Sequence, residues 1–224
     1  MSKRSSDTHP VIAILGGTGK EGPGLAKRWA VAGYPIIIGS RSEEKAQKTA
    51  EELSQILNLD NLQGMENQEA ARAGDICVLT VVQSAHEEAI TSLSSVLQGK
   101  ILVDTTARVD FRDPCPPSSP SAARLAQEQL GKGVRVVAAF QNVPAHSLSS
   151  NLDQPLGSDV LVCADDVQAA EEVIHLAEAI GMHAYYAGDL DNAVILEGLT
   201  ALLISINKHY GIKTASVGVT GVRK

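Results

Sequence analysis

Between Val11 and Gly24 the apolar run Val11-Ile12-Ala13-Ile14-Leu15 ends in Gly16-Gly17-Thr18-Gly19-Lys20-Glu21-Gly22-Pro23-Gly24, and an amphipathic segment from Leu25 to Ala32 follows at once. The order predicts a strand, a tight turn and a helix. Gly17, Gly19 and Gly22 fit G-x-G-x-x-G, in which the first glycine permits the sharp turn, the second lets backbone approach a pyrophosphate, and the third lets helix and strand pack closely. The unpaired N–H groups of the helix and its dipole then face the phosphates. A glycine-rich strand-to-helix turn without a ligand is the plainer alternative, and the flanking strand and helix favour the dinucleotide cradle.

Regular alternation continues downstream. Gly33 ends the first helix and Tyr34-Pro35-Ile36-Ile37-Ile38-Gly39 predicts a second buried strand. Ser42 can cap a helix running through Ala46, Ala50, Leu53, Ile56 and Leu57, with Glu43 and Glu44 in its first turn. Further strands are predicted over 75–82, 100–104 and 134–140, with helices near 67–74, 85–97 and 121–130. Strands alternating with helices imply an α/β fold, a doubly wound parallel sheet covered on both faces. The segment from Phe111 to Pro120 carries four prolines, so neither a helix nor a central strand fits, and a surface loop and candidate lid is expected. Beyond Gln141 a strand at 160–163, a helix at 167–180, a short strand near 183–186 and a long apolar helix from about Asp191 to Tyr210 suggest a small C-terminal α+β unit. The expected division is 8–140 and 141–224. The apolar residues of the last helix cover more than one stripe, which predicts burial on two sides, at a domain junction or a dimer interface.

Composition excludes several classes. Aromatics make up 3% of the 224 residues and the formal net charge is −7, so base-stacking platforms and broad nucleic-acid binding are not expected. Cys77, Cys115 and Cys163 are odd in number and lack metal-ligand spacing, and His175, His183 and His209 follow none either. Three reduced thiols and a cytoplasmic protein are expected, without a metal. Residues 1–10 are polar and short, residues 1–7 are expected to fray, and no bilayer-spanning run is apparent.

The second strand of an NAD-binding unit usually ends in an acidic residue that holds the ribose hydroxyls. Here that place reads Gly39-Ser40-Arg41, with Lys45 one helical turn on. A carboxylate would repel a 2′-phosphate, whereas Arg41 can grip it bidentately, Ser40 can donate to it and Lys45 adds a point charge. These residues favour NADP over NAD, against the alternative of solvated charges at a helix start. No nucleophile is evident. His86 could bond the nicotinamide ribose or carboxamide, or be simply structural, Asn142 is a candidate amide donor, His146 is more simply a loop histidine, and Asp104 could cap the following turn. Lys208, Lys213, Arg223 and Lys224 gather at the C-terminal end of an otherwise acidic chain.

Leu15-Gly16-Gly17-Thr18-Gly19, Gly22-x-Gly24-Leu25-Ala26-x-Arg28, Gly39-Ser40-Arg41-x-x-x-Lys45, Gly64-Met65-x-Asn67-x-x-Ala70-Ala71 and Val78-Leu79-Thr80 together resemble the NADPH-dependent coenzyme F420 reductases. The similarity continues more weakly to Leu196-Glu197-x-Leu199-Thr200. The resemblance implies a Rossmann-type NADP-binding domain, a small C-terminal domain, a homodimer, and hydride transfer to a deazaflavin in the cleft. It places Thr18, Gly19, Lys20 and Glu21 around the pyrophosphate, beside the cofactor-binding Gly17 of the glycine motif, and Ser40, Arg41 and Lys45 on the 2′-phosphate. Val81 and His86 fall near the nicotinamide half, and Ala145 beside the reacting rings. Val81-Val82-Gln83-Ser84, Thr105-Thr106-Ala107-Arg108 and Phe140-Gln141-Asn142 depart from the family pattern on the side facing the second substrate. The rival readings are an NADPH-dependent reductase of a flavin, imine or carbonyl compound, and an NADP-binding redox sensor without turnover.

Overall fold

A computed structural model describes residues 9–150, 152 and 154–222. Residues 1–7, expected to fray, and the basic Arg223 and Lys224 lie outside the described residues. The chain opens with β1 (Ile12–Leu15), α1 (Gly22–Val31), β2 (Ile36–Ser40) and α2 (Glu43–Leu57). It continues through β3 (Leu62–Glu66), α3 (Asn67–Ala73), β4 (Ile76–Leu79), α4 (Gln83–Leu93) and β5 (Ile101–Asp104). After the proline-rich segment come α5 (Ala122–Leu130), β6 (Arg135–Ala138), the single turn α6 (Ala145–Leu148), β7 (Val160–Ala164), α7 (Val167–Ala179), β8 (Ala184–Tyr186) and α8 (Ala193–Tyr210).

The strands form one sheet in the order β3-β2-β1-β4-β5-β6-β7-β8. Pairing from β3 through β6 is parallel, so the order reverses between β1 and β4 and opens a crevice beyond their carboxyl ends. β7 then runs antiparallel to β6, and β8 pairs parallel to β7. The C-terminal strands therefore extend the sheet of the N-terminal ones. Alternate residues of β1 point to opposite faces. Ile12 and Ile14 join the core under α1, α2 and α7, while Ala13 and Leu15 join the core under α3, α4, α5 and α8. Burial on both faces is why the parallel strands read as continuous apolar runs.

Local chemistry sets the helix ends. The Ser42 hydroxyl accepts the Lys45 N–H at 3.4 Å, and Asn58 closes α2 in the left-handed conformation with φ of 53°. Ser121 and Asp166 cap α5 and α7 in the same way. Trp29, fully buried on α1, donates its indole N–H to the Leu176 carbonyl at 2.9 Å and meets Phe140 edge to face at 5.7 Å. Beside it the Arg28 guanidinium donates to the carbonyls of Leu148 at 3.0 Å and Ser150 at 2.8 Å, fastening α1 to the end of α6 and the segment after it.

The structure departs from the sequence-based expectation at three points. β3 was not foreseen, because only Leu62 of Leu62-Gln63-Gly64-Met65-Glu66 is buried and an edge strand need not be apolar. The last helix is not buried on two sides within the chain. α8 buries Leu196, Glu197, Ala201 and Leu203, whereas Ile195 is 62% and Leu202 54% exposed. By length and composition Leu190–Tyr210 is also long and apolar enough to cross a bilayer, which the sequence reading had missed. Its inner face is committed to the core under α5 and to the buried Glu197.

At Gly64 a Cβ would lie 2.3 Å from the carbonyl carbon of Ala46, main chain of α2 that has no room to retreat. Gly64→Ala is expected to cost about 1–3 kcal/mol, read as a lower midpoint of urea denaturation. An unchanged midpoint would show that α2 does not rest on β3 this tightly.

Candidate functional site

The turn after β1 follows from its glycines. Gly16 adopts φ of 74°, its N–H donates to Asn67 Oδ1 at 3.1 Å, and the Gly17 N–H donates to the Gly39 carbonyl at 2.8 Å. A Cβ on Gly22 would sit 2.6 Å from the Gly17 Cα, so α1 starts in direct backbone contact with the turn. No side chain caps α1, unlike α2, α3, α5 and α7; Pro23 has no N–H and the Gly24 N–H donates to the Glu21 carbonyl at 3.0 Å, which leaves the Gly22 N–H at the helix start to an anion.

From this turn a cleft of about 570 Å³ runs over the ends of β4 and β5 to α8. Its floor and near wall are Gly19, Lys20, Glu21, Thr80, Val81 and Thr105, and Phe111 of the proline-rich segment stands at its side. Asn142, Pro144 and Ala145 form another wall, and Thr200, Leu203, Ile204 and Asn207 of α8 close the far end with Lys213. The surface is largely apolar with a few polar groups, as expected of a small-molecule site. Gly19, Lys20, Glu21, Val81, Asn142 and Ala145, all singled out in the sequence, thus share one cleft. Gly17 and Thr18 form the turn at its edge.

Ser40, Arg41 and Lys45 lie one strand over, at the end of β2 and the start of α2. Ser40 is buried and its Oγ accepts the Ser42 N–H at 3.2 Å, while Arg41 and Lys45 are exposed. Gly39, paired with the Gly17 N–H, keeps this cationic corner beside the phosphate turn.

His86 does not line the cleft. It is buried behind it, with Nε2 2.6 Å from Oδ2 of the fully buried Asp104. Burial disfavours the imidazolium, but the Asp104 carboxylate more than offsets this and raises the His86 pKa. Asp104 also caps the following turn, its Oδ1 accepting the Thr106 N–H at 3.0 Å. Asn142 spends an amide hydrogen on the Asp159 carbonyl at 2.7 Å, which ties the cleft wall to the approach to β7. His146 is exposed.

The proline-rich segment is fastened rather than loose. Glu197, buried on α8, accepts the backbone N–H and Nε of Arg108, each at 3.1 Å, at the start of the segment and the Ala122 N–H at 2.6 Å at its end. Lys208 of α8 donates to the Arg112 carbonyl at 2.7 Å. Burial raises the Glu197 pKa, while the Ala122 and Arg108 donors act against that rise. Sequence reasoning gave Glu197 no role, although a lone acid within an apolar helix is a legible signal of a buried partner. Gln141, in the Phe140-Gln141-Asn142 run that departs from the family pattern, donates its side-chain amide to the Asp104 carbonyl at 2.8 Å and accepts the Thr200 hydroxyl on its backbone carbonyl at 2.7 Å, partners that were not legible in the sequence.

The cradle fits a dinucleotide. Backbone lies bare where side chains would block a pyrophosphate, the helix start is uncapped, and Glu21 Oε1 and Gln141 Oε1 are buried oxygens without a protein partner beside the cleft.

Residues 11–108 match the family described as NADP oxidoreductase, coenzyme F420-dependent. The chain is 38% identical to the F420-dependent NADP reductase of Methanothermobacter thermautotrophicus, over 94% of this chain and 95% of that protein. It is likewise 38% identical to the enzyme of the same description from Methanocaldococcus jannaschii, over 94% and 98%. A crystal structure provisionally assigned as an F420-dependent NADP reductase from Arthrobacter sp. FB24 superposes with a TM-score of 0.80 at 25% identity, covering 95% of this chain and all of that one. With this identity sustained across nearly the full length of both relatives, and the glycine turn and cleft in place, the chain belongs to the family of coenzyme F420-dependent NADP oxidoreductases.

Proposed function

We propose that this chain transfers hydride between NADPH and the deazaflavin coenzyme F420. The observation that carries the reading is the single cleft joining the phosphate turn at Gly19-Lys20-Glu21 to the α8 face at Thr200, Leu203, Ile204 and Asn207. A bound nicotinamide would supply the hydride, and the chain's part is to orient two rings, exclude water and place few charges. The pyrophosphate falls to the turn and the open start of α1, with Thr18, Gly19 and Lys20 around it. The 2′-phosphate falls to Ser40, Arg41 and Lys45, and the nicotinamide half lies over Val81 and Thr105. Ala145 and the α8 face then stand opposite, against the second ring. Asn142 shapes that wall through its bond to Asp159, and His86 acts from behind the floor through Asp104.

The division into an NADP-binding part, 8–140, and a part that completes the cleft, 141–224, is supported by the lining residues that come from both. A homodimer is supported by the outer face of α8, where Ile195, Leu202 and Tyr210 are exposed. A cytoplasmic protein is in keeping with the free Cys77, Cys115 and Cys163.

Mixing the protein with NADPH and oxidised F420 should bleach the deazaflavin's visible absorbance. Reduction of FMN or an imine in its place would replace the acceptor, and NADPH binding without any turnover would favour a sensor. Arg41→Asp should raise the Kd for NADPH by roughly ten- to hundredfold while changing that for NADH by about twofold or less, since it replaces a charge-assisted grip by repulsion. Equal losses for both nucleotides would remove the 2′-phosphate assignment. Leu202→Glu should convert a dimer to monomers in sedimentation equilibrium, and an unchanged mass would place the subunit contact elsewhere.

A further inference from the structure

Glu21 occupies the capping position of α1 yet leaves the helix uncapped. Its side chain instead crosses toward β5, where Oε2 lies 3.3 Å from the Thr105 hydroxyl, and Oε1 is buried beside the cleft with no partner. The Thr105 Oγ is also 3.0 Å from the Leu79 carbonyl. A hydroxyl has one hydrogen, and a backbone carbonyl can only accept. When Glu21 Oε2 carries a hydrogen it donates to Thr105, whose hydroxyl then serves the Leu79 carbonyl; when Glu21 is ionised the Thr105 hydroxyl turns to it and the Leu79 carbonyl keeps the Thr105 backbone N–H at 3.2 Å.

The charged surroundings favour the protonated form. Behind Thr105 stands the buried Asp104 of β5, an acid like Glu21, with its own charge taken up by His86 of α4. Arg108 and Glu197 of α8 engage each other, and Lys20, next in the turn, is exposed. No described cation pairs with Glu21. Burial, only partly countered by Thr105 and reinforced by Asp104, pushes its carboxyl up to about 8.

The carboxyl sits at the ends of β4 and β5, on the nicotinamide side of the reversal in strand order. We propose that Glu21 is a proton-linked binding residue for the nicotinamide ring, a neutral carboxylic acid beside NADPH and an ionised carboxylate beside the cationic ring of NADP+. The role rests on the function proposed above. Glu21 gives its proton to water as NADP+ takes the place of NADPH, and recovers one from water when NADPH returns. Each turnover toward reduced deazaflavin consumes one proton (NADPH, oxidised deazaflavin and H+ giving NADP+ and reduced deazaflavin), and Glu21 moves one proton in step with the ring's charge. The neutral form also spares the neighbouring pyrophosphate a repulsive charge.

Calorimetric titration of the whole protein with NADP+ and with NADPH, in buffers of different ionisation heat, counts the protons exchanged. Near pH 7, NADP+ should release roughly half a proton or more and NADPH almost none, and the ratio of NADP+ to NADPH affinity should rise about tenfold between pH 6 and pH 8. The 2′-phosphate titrates alike in both nucleotides and drops out of the ratio. Glu21→Gln should bind both nucleotides with a ratio independent of pH. Infrared difference spectra of the unaltered protein, a readout that needs no variant, should lose the C=O band of a protonated carboxyl when NADP+ binds. Equal proton counts for the two nucleotides, or a pH-dependent ratio surviving in Glu21→Gln, would overturn the role of Glu21 alone. A protein that binds neither nucleotide would overturn the dinucleotide reading, and this role with it.

Discussion

Backbone touching backbone between the first turn and the first helix is the contact on which the rest of the site depends. With no side chain at Gly22, α1 begins against the main chain of the turn after β1. That placement orients Lys20 toward solvent and Glu21 toward β5. It also brings Gly24 against Leu148 and Arg28 against the carbonyls beyond α6, so the residues flanking Ala145 are located relative to the phosphate turn. A side chain at Gly22 would displace the helix and, through it, two walls of the cleft, whereas one at Gly17 would press on the Ile14 carbonyl of β1.

Much of this was legible in the amino acids. The buried strands β1, β2, β4, β5 and β6 announce themselves as apolar runs because a parallel sheet covered on both faces leaves no polar alternation. The cap of α2 was visible in Ser42. β3 was not visible, since its pairing is specified by a neighbour's backbone and by the absence of a side chain at Gly64. The outer face of α8 misled for a related reason. Apolarity records that a surface is to be covered, and does not say whether the cover comes from the same chain.

The site divides along the same line. The glycines of the turn, Gly17 and Gly19, and the exposed cations Arg41 and Lys45, whose proposed roles follow from their own chemistry, could be named from spacing. Residues that act by long-range partnership could not. His86 reads as a lone helix histidine until Asp104 is seen across 18 positions, and Glu197 gains its meaning from Arg108 and Ala122, 89 and 75 positions away. Glu21 shows both sides. Its place in the turn was legible, whereas its turning away from the helix toward Thr105 was not.

α8 presents Thr200, Leu203, Ile204 and Asn207 to the cleft on one face and Ile195 and Leu202 to solvent on another. Positions spaced three and four apart share a face, so each set can change without moving the other. Under the proposed function, the choice of hydride acceptor and the choice of subunit partner would be separately evolvable on a single helix. On that proposal, divergence among relatives at the four cleft positions would report on substrate, and divergence on the outer stripe on assembly.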